Sequence, residues 1–212
     1  MTIPSLAEFV AAIRERPDSA DRFSLETEHL LEVRLSGDSV WTKHGSMVAY
    51  LGSVKFRREG IFEQGLGNLL KKALSGEGAT LTKAEGTGRV FLADKGKRVC
   101  LFRLEKDALI VNGNDVLAFE SAIENKITMM RRIAGMISGG LFNIRLSGSG
   151  LVAITTHHKP VTLAVKPGKP VMTDPNATVA WSASLDVDLR SDVSLKTLIG
   201  RGSGETFQME FI

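Results

Sequence analysis

At 212 residues, with 43% hydrophobic and 24% charged positions, the chain has the composition of an ordinary globular protein long enough to bury a core. Its 27 basic and 24 acidic residues leave a net charge of only +3, which does not predict the dense basic face of a nucleic-acid binder. The single cysteine, Cys100, excludes an intrachain disulfide and thiol-rich metal sites; within Arg98-Val99-Cys100-Leu101-Phe102 it reads as a small buried hydrophobe.

The chain opens on a short helix. Ser5 and Glu8 form a capping box, and Leu6, Phe9, Val10 and Ile13 then fall at i, i+3, i+4 and i+7 to give one apolar stripe. Arg14 and Arg16 close the helix before Pro17-Asp18 breaks it. The stripe is expected to dock on the protein's own sheet rather than lie on a membrane surface. Met1 to Arg16 lacks a basic region followed by a continuous apolar core, so no secretory signal is expected. No stretch approaches the ~20 apolar residues of a membrane span. A cytoplasmic, reducing location follows as the expectation.

From Phe23 the apolar period changes to two. Leu31, Val33 and Leu35 predict a half-buried strand ending at Ser36-Gly37-Asp38. Val40 to Thr42 and Met47 to Lys55 follow as strands separated by a His44-Gly45 turn. Leu81 to Glu85 alternates and ends at Gly86-Thr87-Gly88, and Arg89 to Ala93, Arg98 to Leu104 and Ala108 to Val111 continue the rhythm. Short strands punctuated about every ten residues predict an all-β fold, a β-sandwich or barrel-like architecture.

Repetition orders these strands. A polar turn followed by an aliphatic-Ala-aromatic triplet occurs three times, closing on Val48-Ala49-Tyr50, Leu117-Ala118-Phe119 and Val179-Ala180-Trp181. The segment around Gly86-Thr87-Gly88 aligns with that around Gly148-Ser149-Gly150. The offset is 62 residues for Gly86 and Gly148, and 62 again for Phe119 and Trp181. Two to three internal repeats sharing one core are therefore expected. The boundaries are a helix and linker over 1–22, a first β unit over 23–121 and a second over 122–212. Tyr50, Phe119, Trp181, Gly86, Gly88, Gly148 and Gly150 are the expected anchors of the repeat.

Apolar, basic, glycine-terminated segments over 67–76, 129–139 and 195–202 are expected as crossovers between repeats. The last repeat looks short. Glu205 to Ile212 alternates cleanly, but no glycine pair or return strand follows. A terminal strand of that kind predicts an unpaired edge, covered by a subunit partner unless the chain is trimmed.

Three stretches resemble a known family. Gly45-Ser46-Met47-Val48-Ala49-Tyr50-Leu51-Gly52-Ser53-Val54-Lys55-Phe56 is similar to the opening signature of the altered-inheritance-of-mitochondria family (mitochondrial biogenesis, member twenty-four). Leu74-Ser75-Gly76-Glu77-Gly78 with Gly86-Thr87-Gly88-Arg89-Val90-Phe91-Leu92 resembles its repeated glycine hairpin. Ala177-Thr178-Val179-Ala180-Trp181 with Ser194-Leu195-Lys196-Thr197-Leu198 resembles its last repeat. The match runs from about Phe23 to Phe211. It implies a fold similar to the tryptophan RNA-binding attenuator protein and a homo-oligomer such as a trimer, but no catalytic residues. The chain departs from the pattern at Gly139-Gly140-Leu141-Phe142, which lacks the acidic residue of Gly76-Glu77-Gly78.

Residues capable of chemistry are sparse. His157 and His158 are adjacent and would point to opposite faces of a strand, so they cannot chelate one metal together. His44 reads as an exposed turn residue. Ser147-Gly148-Ser149-Gly150 lacks the nucleophile-elbow spacing, and its counterpart Gly86-Thr87-Gly88 carries no serine, so a turn is expected there. Lys71-Lys72 and Arg131-Arg132 occupy matching crossovers and, with Lys196 and Arg201 beside Gly200 to Gly204, are the candidate anion-binding residues.

The sequence thus predicts a non-enzymatic homo-oligomer that binds or scaffolds, with no cofactor or metal. An oligomer binding RNA or a membrane surface through the basic crossovers is the first alternative. A metal-dependent hydrolase built on converging histidines is the second.

Overall fold

The structure is a computed structural model, described over residues 3–17, 19–58, 81–129, 142–191 and 207–212. One helix, α1 (Leu6–Ala12), precedes twelve strands: β1 (Phe23–Thr27), β2 (Leu30–Lys43), β3 (Met47–Arg57), β4 (Leu81–Leu92), β5 (Arg98–Asn112), β6 (Val116–Glu120), β7 (Glu124–Met129), β8 (Phe142–Thr156), β9 (Val171–Thr173), β10 (Ala180–Ser182), β11 (Val187–Ser191) and β12 (Phe207–Phe211). The fold is all-β, with antiparallel strand pairs throughout, as the alternation of apolar residues predicts.

A nine-stranded sheet runs β10-β5-β8-β6-β2-β4-β3, with β1 added on β2 and β7 on β8; a second sheet runs β11-β12-β9. Three apolar clusters follow the chain. Leu31, Val33, Leu35, Val40, Val90 and Leu92 form the first, and Val111, Phe119, Ile144, Leu146 and Val152 the second. Trp181, Met209 and Phe211 form the third. Alternation puts these side chains on one face of each strand, where burial removes them from water.

Several expected turns are instead interruptions within long strands. β2 continues through Ser36-Gly37-Asp38 by a bulge: Gly37 takes φ +80°, and the Asp38 carboxylate accepts the Ser36 N–H at 3.1 Å. β5 does the same at Glu105-Lys106-Asp107. There Lys106 takes φ +64° and its N–H donates to the Ser149 hydroxyl at 3.0 Å. An aspartate two residues on satisfies a bulge by the same local hydrogen bond that it would supply to a turn.

Gly86-Thr87-Gly88 and Gly148-Ser149-Gly150 likewise lie mid-strand, in β4 and β8, and reverse nothing. At Gly88 the reason for glycine is close approach. A Cβ there would meet the Leu51 carbonyl oxygen of β3 at 2.0 Å, and at Gly86 the Ser53 carbonyl oxygen at 2.1 Å. The two strand pairs share a register. Leu35 faces Gly88 and Asp38 faces Gly86 between β2 and β4; Leu104 faces Gly150 and Asp107 faces Gly148 between β5 and β8.

Two further expectations are corrected. β12, at the chain's end, is no open edge: it is the central strand of its sheet, paired on one side with β11 and on the other with β9. The helix does not dock. Its capping box forms as expected, Glu8 N–H donating to Ser5 Oγ at 3.3 Å and Ser5 N–H to the Glu8 carboxylate at 2.7 Å. Yet none of its residues is buried, and Ile3, Leu6, Phe9, Val10 and Ile13 all present their side chains to solvent. It ends at Ala12, before the two arginines. The tethers lie beyond it: the Arg16 guanidinium donates to the Leu25 carbonyl at 2.6 Å, and Glu15 meets Arg89 at 3.3 Å. Helical period reveals an apolar face without specifying what covers it.

Candidate functional site

Two features stand out from the packed sheets: a charged cluster beneath the first turns, and an apolar strand edge.

The cluster collects at the ends of β2, β4, β5 and β8. Asp94, only 6% exposed, follows β4 and accepts from Lys43 Nζ at 2.8 Å and from the Thr155 hydroxyl at 3.1 Å. Lys97 Nζ lies 3.5 Å from Asp94 and donates to Asp115 at 2.7 Å. Lys43 also donates to the Asn114 carbonyl at 2.6 Å, which ties the β2–β3 turn to the β5–β6 turn. Burial would push the Asp94 carboxyl up. The hydrogen bond and charge of Lys43, the charge of Lys97 and the Thr155 hydroxyl outweigh it and hold the group below its ordinary value. Two ammoniums meet two carboxylates, so the cluster is neutral and internally satisfied, which suits a structural clasp.

The sign of its pH dependence follows from the depressed value. Asp94 contributes stability that is present above the unfolded carboxylate pKa of about 3.9 and is lost as pH falls through the folded value. Asp94→Asn is expected to lower stability at pH 7 by about 1–3 kcal/mol. It should also flatten the decline below pH 4. Urea titrations across pH 3–7 check both, and an unchanged acid slope would remove Asp94 from the account.

A second buried carboxylate, Glu32, is gripped by Arg89 through Nε at 2.7 Å and an Nη at 3.2 Å, which pins β2 to β4. A shallow depression of about 300 Å³ lies over the β5 bulge, lined in part by Arg103, Glu105, Lys106, Glu120 and Ser149. Glu120 is engaged there, accepting the Leu151 N–H at 2.7 Å.

The histidines do not converge. His29 faces Glu28 and the Lys97 carbonyl, His44 faces Thr82, and His157 and His158 are exposed just past β8. Among the described residues, no three His, Cys, Asp or Glu side chains group at metal-binding distances. Cys100 is half-buried beside Thr156. Lys71, Lys72, Arg131, Arg132, Lys196 and Arg201, the candidate anion-binding residues, lie outside the described residues. So do the glycines of 200–204.

The three aromatics expected as equivalent anchors occupy different surroundings. Phe119 is fully buried and stacks on Trp41 at 6.4 Å, with Lys83 Nζ 5.4 Å above the Trp41 ring. Trp181 is buried edge-on to Phe211 at 5.7 Å. Tyr50 is 48% exposed and is not a core anchor: β3 is the last strand of its sheet, and among the described residues only Phe56, at 5.6 Å, packs on its ring in an aromatic contact. Met47, Val48 and Leu51 are exposed beside it. Sequence reasoning missed this edge because the triplet motif signals an apolar contact without saying whether its other half is in the same sheet.

Comparison with known proteins gives the same frame. An uncharacterized protein of Streptococcus pyogenes serotype M6 is 30% identical over 208 residues, covering 88% of this chain and 81% of its own. The X-ray crystal structure of a Streptococcus pyogenes protein superposes with a TM-score of 0.67 at 26% identity, covering 89% of this chain and 87% of that one. The model of the mitochondrial biogenesis AIM24 family matches residues 23–212, which takes in every strand of both sheets, and the chain belongs to that family.

Proposed function

We propose that the protein is a non-enzymatic, homo-oligomeric β-sandwich module that binds or scaffolds through exposed surfaces rather than a catalytic cleft. One observation carries this reading: Met47, Val48, Tyr50 and Leu51 line an apolar strand edge at 44–61% exposure, while the buried charges described above neutralise one another. Solvent-facing apolar residues grouped on one strand mark a contact surface, whereas scattered ones carry no meaning. The reading keeps the internal repeats, with units over 23–121 and 122–212, and a trimer as the favoured assembly. A lone cysteine suits a reducing, cytoplasmic setting. Among the described residues, no helix is long and apolar enough to cross a membrane.

Light scattering at several protein concentrations and two salt levels tests it. A mass approaching three times that of the chain is expected; a monomer at every concentration overturns the assembly.

The undocked helix favours a second reading, attachment to a membrane surface. Its apolar stripe is exposed and Arg14 and Arg16 follow it. Co-flotation with vesicles containing anionic lipid is expected on this reading, with loss of at least tenfold in Phe9→Asp. Equal flotation of the variant would sink it.

A further inference from the structure

Within the chain, two short strands are joined to longer ones in one recurring way. In the first joint β6 lies against β2, with Thr42 facing Ala118, Trp41 facing Phe119 and Val40 facing Glu120. In the second β10 lies against β5, with Val111 facing Ala180, Ile110 facing Trp181 and Leu109 facing Ser182. Each joint places an Ala-aromatic pair on a three-residue stretch of a longer strand's edge.

The register of the return strands identifies the equivalent of that stretch in the second sheet. Thr42, Trp41 and Val40 face Thr82, Lys83 and Ala84 of β4; Val111, Ile110 and Leu109 face Ile144, Arg145 and Leu146 of β8. Thr173, Met172 and Val171 of β9 face Met209, Glu210 and Phe211 of β12 in the same order. β9 therefore corresponds to the receiving stretches of β2 and β5. By the triplet motif, Ala49-Tyr50-Leu51 of β3 corresponds to Ala118-Phe119-Glu120 and Ala180-Trp181-Ser182.

Among the described residues these two corresponding halves are unmated. β3 ends the nine-stranded sheet and β9 ends the three-stranded one, and among the described strands neither pairs with the other. Their central side chains are both exposed, Tyr50 at 48% and Met172 at 40%. The counterparts of Tyr50 in the two made joints, Phe119 and Trp181, are buried, and those of Met172, Trp41 and Ile110, are half-buried.

We infer that β3 of one copy pairs antiparallel with β9 of a second copy, Tyr50 facing Met172, Ala49 facing Thr173 and Leu51 facing Val171. The inference rests on the assembly reading above and gives it an interface. Each copy offers one half of each kind, so the contact is head-to-tail, and successive copies close into a ring or extend as a fibre. Main-chain hydrogen bonds along the two open edges supply the pairing, and Met47 and Val48 extend its apolar surface.

Tyr50→Lys and Met172→Lys test it, since both positions are solvent-facing in the single chain, the variants should melt as dilute wild type does, and two lysines facing each other repel. Each variant alone is expected to sediment as a monomer at concentrations where the wild type is multimeric. Mixed in equal amounts, they should form a dimer, because the first retains an intact β9 and the second an intact β3. A multimeric wild type unaffected by either substitution, or a mixture that stays monomeric, overturns this joint while leaving assembly by another surface standing. A monomeric wild type overturns joint and assembly together.

Discussion

Gly86→Ala is expected to destabilise the protein by more than about 3 kcal/mol, and Gly148→Ala by only about 1–2 kcal/mol. The two glycines are the same position by sequence, 62 residues apart in matching motifs. Both hold left-handed backbone, φ +130° and φ +113°, so a Cβ strains either one. The difference is space. At Gly86 the added carbon would lie 2.1 Å from the Ser53 carbonyl oxygen, a backbone atom that can retreat only by peeling β3 from β4. At Gly148 the nearest atom is the Ala122 carbonyl oxygen at 3.9 Å, an ordinary contact. Urea denaturation followed by circular dichroism measures both on one scale. Equal losses would mean that backbone strain alone sets the cost and that the closeness of β3 is irrelevant.

The contrast traces to what lies across each strand. β3 passes unbroken over β4 from Ala49 to Arg57, with Gly52 facing Gly88. Over β8 the corresponding path is divided: β6 ends at Glu120, a turn over Ser121-Ala122 follows, and β7 resumes at Glu124. The Glu120 carboxylate reaches into the gap and takes the Leu151 N–H. The matching Gly148 thus rests on its backbone angle alone, with no close crossing beside it.

Much of the fold was legible in the residues for local reasons. Period-two alternation located the strands, Ser5 and Glu8 located the helix start, and His44-Gly45 located a turn that forms there. What stayed hidden depended on distant partners. Glycine announces φ above zero at Gly37, Gly86 and Gly88, yet a bulge, a close crossing and a chain reversal all ask for that. The helix stripe was legible and its lack of a dock was not, because periodicity describes one surface of a contact. The charged cluster escaped notice since Lys43, Asp94, Lys97, Asp115 and Thr155 are scattered through the sequence and meet only after β2, β5 and β8 pair. No spacing rule links them. Of the candidate site, the triplet motif points to Tyr50 without revealing that it is exposed, because the motif carries the aromatic and not what packs on it.

That distinction yields the second large effect. Phe119→Ala is expected to cost about 3–5 kcal/mol, because the ring is fully buried, stacks on Trp41 and packs among Val111, Ile144 and Val152. Trp181→Ala should fall in the same range of about 3–5 kcal/mol through its contact with Phe211 and the third cluster. Tyr50→Ala, the same residue of the motif, should cost under about 1 kcal/mol in dilute solution, since half its surface is already in water and its one ring neighbour among the described residues is Phe56. Thermal and urea unfolding of the three variants decide the matter. A Tyr50→Ala loss as large as that of Phe119→Ala would mean that the β3 edge is already covered within one chain, and the open half-joint would then have nothing left to receive. A small loss that grows with protein concentration, as wild type gains stability from association and the variant does not, is the signature of an aromatic whose core is completed by another copy.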